Sequence, residues 1–127
     1  MKIYISHSSS FDFKKELYLP LKNIFTHTSH ELIFPHESST SPFPSKQLFV
    51  RHGCDVLLAE ISYPSTGQGI ELGWADLCDL PIIYLIKKNI NISESIKLIS
   101  KKGVCYDQLT QTKEQIFALL NSYNSNE

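Results

Sequence analysis

Arginine is all but missing from this chain: Arg51 stands alone in 127 residues, and 12 basic side chains face 13 acidic ones for a net charge of −1. Nucleic-acid binding draws its affinity from several Lys and Arg contacts to phosphate, so that class of partner is not expected. Cysteine is also scarce. Cys54, Cys78 and Cys105 are odd in number, far apart and without a C-x-x-C, which reads as reduced, buried, small apolar residues in a cytosolic protein. No signal-peptide pattern opens the chain, since Lys2 is followed by a short strand-like run. No apolar stretch approaches the roughly 20 residues of a membrane helix, so no membrane association is expected. His27, His30, His36 and His52 lack metal-ligand spacing and a clustered cysteine or carboxylate motif, so neither a metal nor a cofactor is expected. With internal repeats absent too, one cytoplasmic domain over 1–127, of ordinary composition, is what remains.

The hydrophobic pattern then alternates in type. KIYIS (2–6) alternates with β-branched and aromatic residues and predicts a strand. After HSSS (7–10), Phe13, Leu17, Leu21 and Phe25 recur at spacing four, a helix that Pro20 should kink or split. ELIFP (31–35) predicts a second strand, and HESSTSPFPS (36–45) a polar, proline-rich loop. KQLFVRHG (46–53) reads as a short helix, and DVLLAEI (55–61) as a central strand covered on both faces. A helix over 69–80, a strand over 81–86, a short helix over 93–100, a strand over 103–107 and a closing helix over 112–123 follow, with NSNE fraying at the end. This is a single α/β domain of flavodoxin/Rossmann-like type, with a parallel sheet of about five strands flanked by helices. Ligands of such sheets bind outside the carboxyl ends of the strands.

One stretch at such a strand end carries chemistry. In SYPSTGQGIELGWAD (62–76), Gly67 and Gly69 flank Gln68, and Glu71 follows where the first turn of the 69–80 helix is expected. A helix start favours an ionised carboxylate. Beside a glycine-opened turn, such a group can attack an electrophilic carbon, as a glycosidase nucleophile does. Ser62, Ser65 and Thr66 line the same turn, and the amides of Thr66 to Gly69 could cradle a phosphate. The competing reading is a plain acidic first-turn residue, because Gly-x-Gly alone is a weak signal.

KIYIS, ELIFP and DVLLAEISYPSTGQGIELGWA together resemble the nucleoside 2-deoxyribosyltransferase family, whose relatives include 2'-deoxynucleoside 5'-monophosphate N-glycosidases; the resemblance covers about 2–106. It implies that Glu71 is the nucleophile forming a glycosyl-enzyme intermediate, that Tyr4 supports it, and that Ser8 and Ser65 hold a 5'-phosphate. It also implies a small-molecule nucleoside or nucleotide substrate, and a homodimer or larger homo-oligomer in which a neighbouring chain completes each site. The family's proton-donating aspartate, eight residues ahead of the strand's own aspartate, falls here on Gln47, which is not an acid and is kept as a substrate contact. His7, His36 and Glu37 are the nearby alternatives. The opening 2–22 also resembles Toll/interleukin-receptor (TIR) domains, some of which hydrolyse NAD with a glutamate, and a non-catalytic nucleotide sensor is a third reading.

Trp74 lies within reach of the same helix face and could stack on a base, against the plainer reading of packing on a neighbour or second subunit. Asp76 and Asp79 read as solvated, Lys87 and Lys88 as solubilising an edge, and Phe43, between two prolines, as a ring that could close over a ligand.

Overall fold

The structure, a computed structural model, describes residues 1–37 and 42–124; the expectations for 38–41 in the proline-rich loop and for 125–127 at the end lie outside them. Five strands, β1 (Lys2–His7), β2 (Glu31–Ile33), β3 (Val56–Glu60), β4 (Ile82–Lys87) and β5 (Lys102–Tyr106), form one sheet in the order β2-β1-β3-β4-β5. Every pairing is parallel. The helices are α1 (Leu19–Ile24), α2 (Ser45–Val50), α3 (Thr66–Leu77), α4 (Glu94–Ile99) and α5 (Lys113–Asn124). The α/β architecture expected from the alternating pattern is therefore present.

The two faces of β1 explain how the sheet is clad. Ile3 and Ile5 point into a core built with Leu17, Leu21 and Ile24 and closed by Ile116 and Leu120 of α5. Tyr4 points the other way, into a core with Phe49 of α2, Leu72 and Ala75 of α3 and Ile82. Alternation along a strand demands this division. β3 runs between the two cores with all five residues buried, four of them apolar, as befits a strand covered on both faces. Each fully buried Leu or Ile contributes roughly 1.5–3 kcal/mol, so this sandwich fixes the sheet and the strand ends with it.

Pro20 interrupts its helix as expected. A wide π-type turn (Lys14–Tyr18) hands over to α1 with the proline at its start, where a missing N–H costs nothing. β2 is shorter than ELIFP implies, because only Glu31, Leu32 and Ile33 find register partners on β1. Gly103 is required by packing, since a Cβ there would sit 2.3 Å from the Tyr84 ring on the neighbouring strand.

Cysteine is a correction. Cys54 is buried, but Cys78 is only half-buried and Cys105 is exposed. Cys105 alternates with the buried Val104 and Tyr106 on the edge strand β5 and so faces the side left uncovered. Among the described residues no helix is long and apolar enough to cross a membrane.

The connection after β1 leads towards one edge of the sheet and that after β3 towards the other. The carboxyl ends of these adjacent strands consequently part, and a crevice opens between them.

Candidate active site

α3 starts at Thr66, ahead of position 69 where the hydrophobic pattern places it. Ser65, in extended conformation, caps the helix by accepting the Gln68 N–H at 3.2 Å. The buried Gln68 side chain then donates through Nε2 to the Glu60 carbonyl at 2.9 Å, tying the first turn to the end of β3. Ser65 and Gln68 have capping-box spacing, the sequence signal that locates this helix start. Gly67 and Gly69 thus lie inside the helix, each costing about 1 kcal/mol relative to Ala in a helix interior. Neither has a neighbour within 4 Å of a would-be Cβ, so Gly67 leaves open space beside Glu71.

The early start corrects the placement of Glu71. It lies beyond the first turn, which holds no acidic residue, and the helix dipole fades over that distance. Burial instead dominates and raises its pKa, because a carboxylate loses solvation there. Hydroxyl groups from Ser6, Tyr4 and Ser45 and the charge of His36 oppose the rise.

Tyr4 supplies the best-formed of these contacts: its OH donates to Glu71 Oε2 at 2.8 Å. The ring is wholly buried, edge-on to Phe49 at 5.1 Å and tilted against Phe43 at 5.7 Å. Burial and the Glu71 charge push the Tyr4 phenol well above its ordinary pKa, so it remains a donor at any physiological pH. Ser6, two residues along the same face of β1, is also wholly buried, and its hydroxyl has no completed hydrogen bond among the described residues although it lies close enough to favour the Glu71 carboxylate. Ser45, at the start of α2 and buried, borders both Tyr4 and Glu71.

Glu71 and Tyr4 open onto a cavity of about 270 Å³ at the ends of β1 and β3. His7, Ser9, His36, Phe43, Ser45, Ser65, Gly67 and Trp74 share its wall. Five of the sequence-expected site residues, Tyr4, Ser65, Gly67, Glu71 and Trp74, therefore come together. Trp74 also carries Lys46 Nζ 5.9 Å from its ring.

The other four lie elsewhere. Ser8 is turned inward, its hydroxyl bonded to Ser10, and Ser9 takes its place on the wall. Thr66 is exposed and lines no described cavity, while Gly69 lines a different one. Gln47 is exposed on α2, and Ser45 is the residue of that helix that reaches the site. Of the Thr66-to-Gly69 amides, those of Gln68 and Gly69 are taken by Ser65, and of the other two residues only Gly67 lines the cavity.

A larger cavity, about 370 Å³, opens on the far side of the same helix start. Among the described residues Tyr63 is the one titratable side chain in its wall, and no carboxylate lines it. Between the two, Glu60 at the end of β3 is buried and accepts from Tyr106 OH and the Ser62 N–H, which fixes the turn leaving the strand. That role was invisible within the apolar run DVLLAEI. No group of three or more His, Cys, Asp or Glu side chains is arranged to hold a metal among the described residues.

A parallel 2-1-3-4-5 sheet with a carboxylate and a phenol at the β1/β3 crevice defines an α/β fold that nucleotide-handling proteins share. Two solved structures have that fold over nearly the full chain. CMP N-glycosidase BcmB of Clostridium botulinum matches with a TM-score of 0.65 and 19% identity, over 91% of this chain and 98% of that one. The 2-deoxyribosyltransferase of Bacillus psychrosaccharolyticus matches with a TM-score of 0.65 and 16% identity, over 94% and 96%. No protein-family model matches the sequence, and no curated protein matches it.

Proposed function

We propose that this protein cleaves, or transfers the sugar across, the N-glycosidic bond of a nucleoside or nucleoside 5'-monophosphate, most readily a 2'-deoxy one. The observation that carries the reading is the Glu71–Tyr4 pair, with the carboxylate at 2.8 Å from a permanently protonated phenol and facing a cavity. Glu71 attacks the anomeric carbon, the base departs, and water or a second base releases the sugar. Tyr4 orients the carboxylate and offsets the cost of ionising it in a buried setting. Ser65, Ser9 and the amide of Gly67 would hold a sugar or its 5'-phosphate, and Trp74 and Phe43 offer rings to a base. What the two structural neighbours are named for, a CMP N-glycosidase and a 2-deoxyribosyltransferase, supports the same class of bond.

Among the described residues Glu71 is the sole carboxylate in the wall, and that observation favours a non-catalytic nucleotide sensor as the second reading. A homo-oligomer fits both, since Ile70 and Leu77 of α3 are exposed and flank Trp74 at helical spacing. Incubation with nucleosides, nucleoside monophosphates, their 2'-deoxy forms and NAD, read as free base, decides between them. Base release that disappears in Glu71→Ala supports the glycosidic reading. Tight binding without product supports the sensor.

A further inference from the structure

We propose that His36 is the proton donor to the departing base, the role for which the sequence offers no aspartate; this rests on the N-glycosidic reading above. Among the described residues the wall of the Glu71 cavity holds four titratable side chains, Tyr4, His7, His36 and Glu71, and three of them are committed elsewhere. Glu71 is the nucleophile. Tyr4 donates its single proton to that nucleophile.

His7 has no nitrogen to spare. Its Nδ1–H donates to the Ser8 carbonyl at 2.7 Å, so Nε2 is the acceptor for Tyr18 OH at 2.6 Å. Burial lowers its pKa to about 4, keeping it neutral and leaving His36 without a charged neighbour in that direction. Glu37 is exposed, paired with Lys22 and absent from the wall.

His36 is built differently. It is half-buried, and neither ring nitrogen has a hydrogen-bond partner among the described residues. The ring is braced by His7 at 5.4 Å and Phe13 at 5.9 Å, while its backbone N–H donates to Tyr18 OH at 3.2 Å. Tyr18 is thus a positioning residue, holding His7 and the His36 backbone through one hydroxyl. His36 and Glu71 line the same cavity, and the charge of His36 works against the burial that raises the Glu71 pKa. An imidazole has two ring nitrogens that can each carry or accept a proton, which equips a ring with both nitrogens unpaired to give one and regain it.

The step balances without another reactant. As the bond from the anomeric carbon to the base breaks, its electron pair goes to the base, and the imidazolium N–H passes its proton to the base. Glu71 oxygen meanwhile bonds to the anomeric carbon. Water then displaces Glu71 and gives its proton to the neutral His36, so nucleotide and water become free base and sugar phosphate.

The experiment compares wild type, His36→Asn, His36→Asp and Glu71→Ala on two substrates. One is the nucleotide that wild type cleaves best; the other is 4-nitrophenyl 2-deoxyriboside 5-phosphate, whose nitrophenolate leaves without a proton. His36→Asn should lose about 10²–10³-fold on the nucleotide and stay within about threefold of wild type on the nitrophenyl substrate. His36→Asp should regain part of the loss, and Glu71→Ala should abolish both reactions. Equal losses on both substrates, or no loss on the nucleotide, overturn the assignment to His36 alone. If wild type releases neither base nor nitrophenolate, the glycosidic reading fails and His36 falls with it. Thermal unfolding of His36→Asn within a few degrees of wild type separates either result from misfolding.

Discussion

Replacing Tyr4 by Phe removes one oxygen and leaves the buried ring against Phe49 and Phe43 in place. The lost contact is a hydroxyl donating to a carboxylate at 2.8 Å. A hydrogen bond to a charged group is worth about 1.5–3 kcal/mol, and one pKa unit corresponds to about 1.4 kcal/mol, so the carboxylate loses about 1–2 units of support. The sign is fixed by which form the hydroxyl favours. Tyr4 stabilises ionised Glu71, so its removal raises a pKa that burial has already raised. Attack requires the ionised form, so the rising acid limb of activity should move to higher pH by about 1–2 units. The assay is base release across pH 4–9 with saturating nucleotide, comparing wild type with Tyr4→Phe. An acid limb that stays put, or moves to lower pH, would refute the idea that this phenol holds the nucleophile ionised.

Glu71→Gln should abolish base release yet stabilise the fold above the acid range. Because folding raises the Glu71 pKa, its contribution to stability is full below the ordinary carboxylate value of about 4.5 and is lost as pH rises through the folded-state value. Thermal unfolding of wild type should therefore fall behind Glu71→Gln as pH increases, a divergence that parallel curves would contradict. Glu60→Ala strips the acceptor from Tyr106 OH and the Ser62 N–H and should cost about 2–3 kcal/mol in urea unfolding. A change under about 0.5 kcal/mol would show that the buried carboxylate is not holding the turn. Gln47→Asp should leave base release within about twofold of wild type, because Gln47 is exposed and outside the cavity wall. A large gain in turnover would restore the expectation that an acid belongs at that position.

Strands were the most legible part of this chain, for a physical reason. A strand buried on both faces must be apolar along most of its length; Val56 to Ala59 meet that demand, and DVLLAEI overruns β3 by one residue at either end. The β1 alternation likewise contained more than the tyrosine: Ser6 shares Tyr4's face by spacing of two, which is enough to place it beneath Glu71. Helix starts were harder to place, because α3 opens on Ser65 and two glycines that look like loop. Its true beginning depends on a side-chain cap and on Gln68 reaching back to β3, neither of which leaves a hydrophobic period. That displaced Glu71 from the first turn and reversed the account of its charge, from favoured by a dipole to opposed by burial.

The residues that depend on turn conformation were beyond sequence spacing. Counting from Asp55 lands on Gln47, but a short helix presents one face, and here that face carries Ser45. In HSSS the chain turns so that Ser8 is used internally and Ser9 is offered to the cavity. His36 could be named only as one of three nearby groups. Its selection needed the pairing of His7 with Ser8 and Tyr18, and of Glu37 with Lys22.

The central claim is that Glu71 forms a covalent bond to the sugar, and mass spectrometry tests it most directly. The protein would be quenched during reaction with a slow 2-fluoro-2-deoxyarabinosyl nucleotide, digested, and the peptide spanning α3 sequenced. The predicted result is a sugar-phosphate adduct on Glu71, absent from Glu71→Ala. Base release at the wild-type rate by Glu71→Ala, or an adduct confined to another residue, would contradict it.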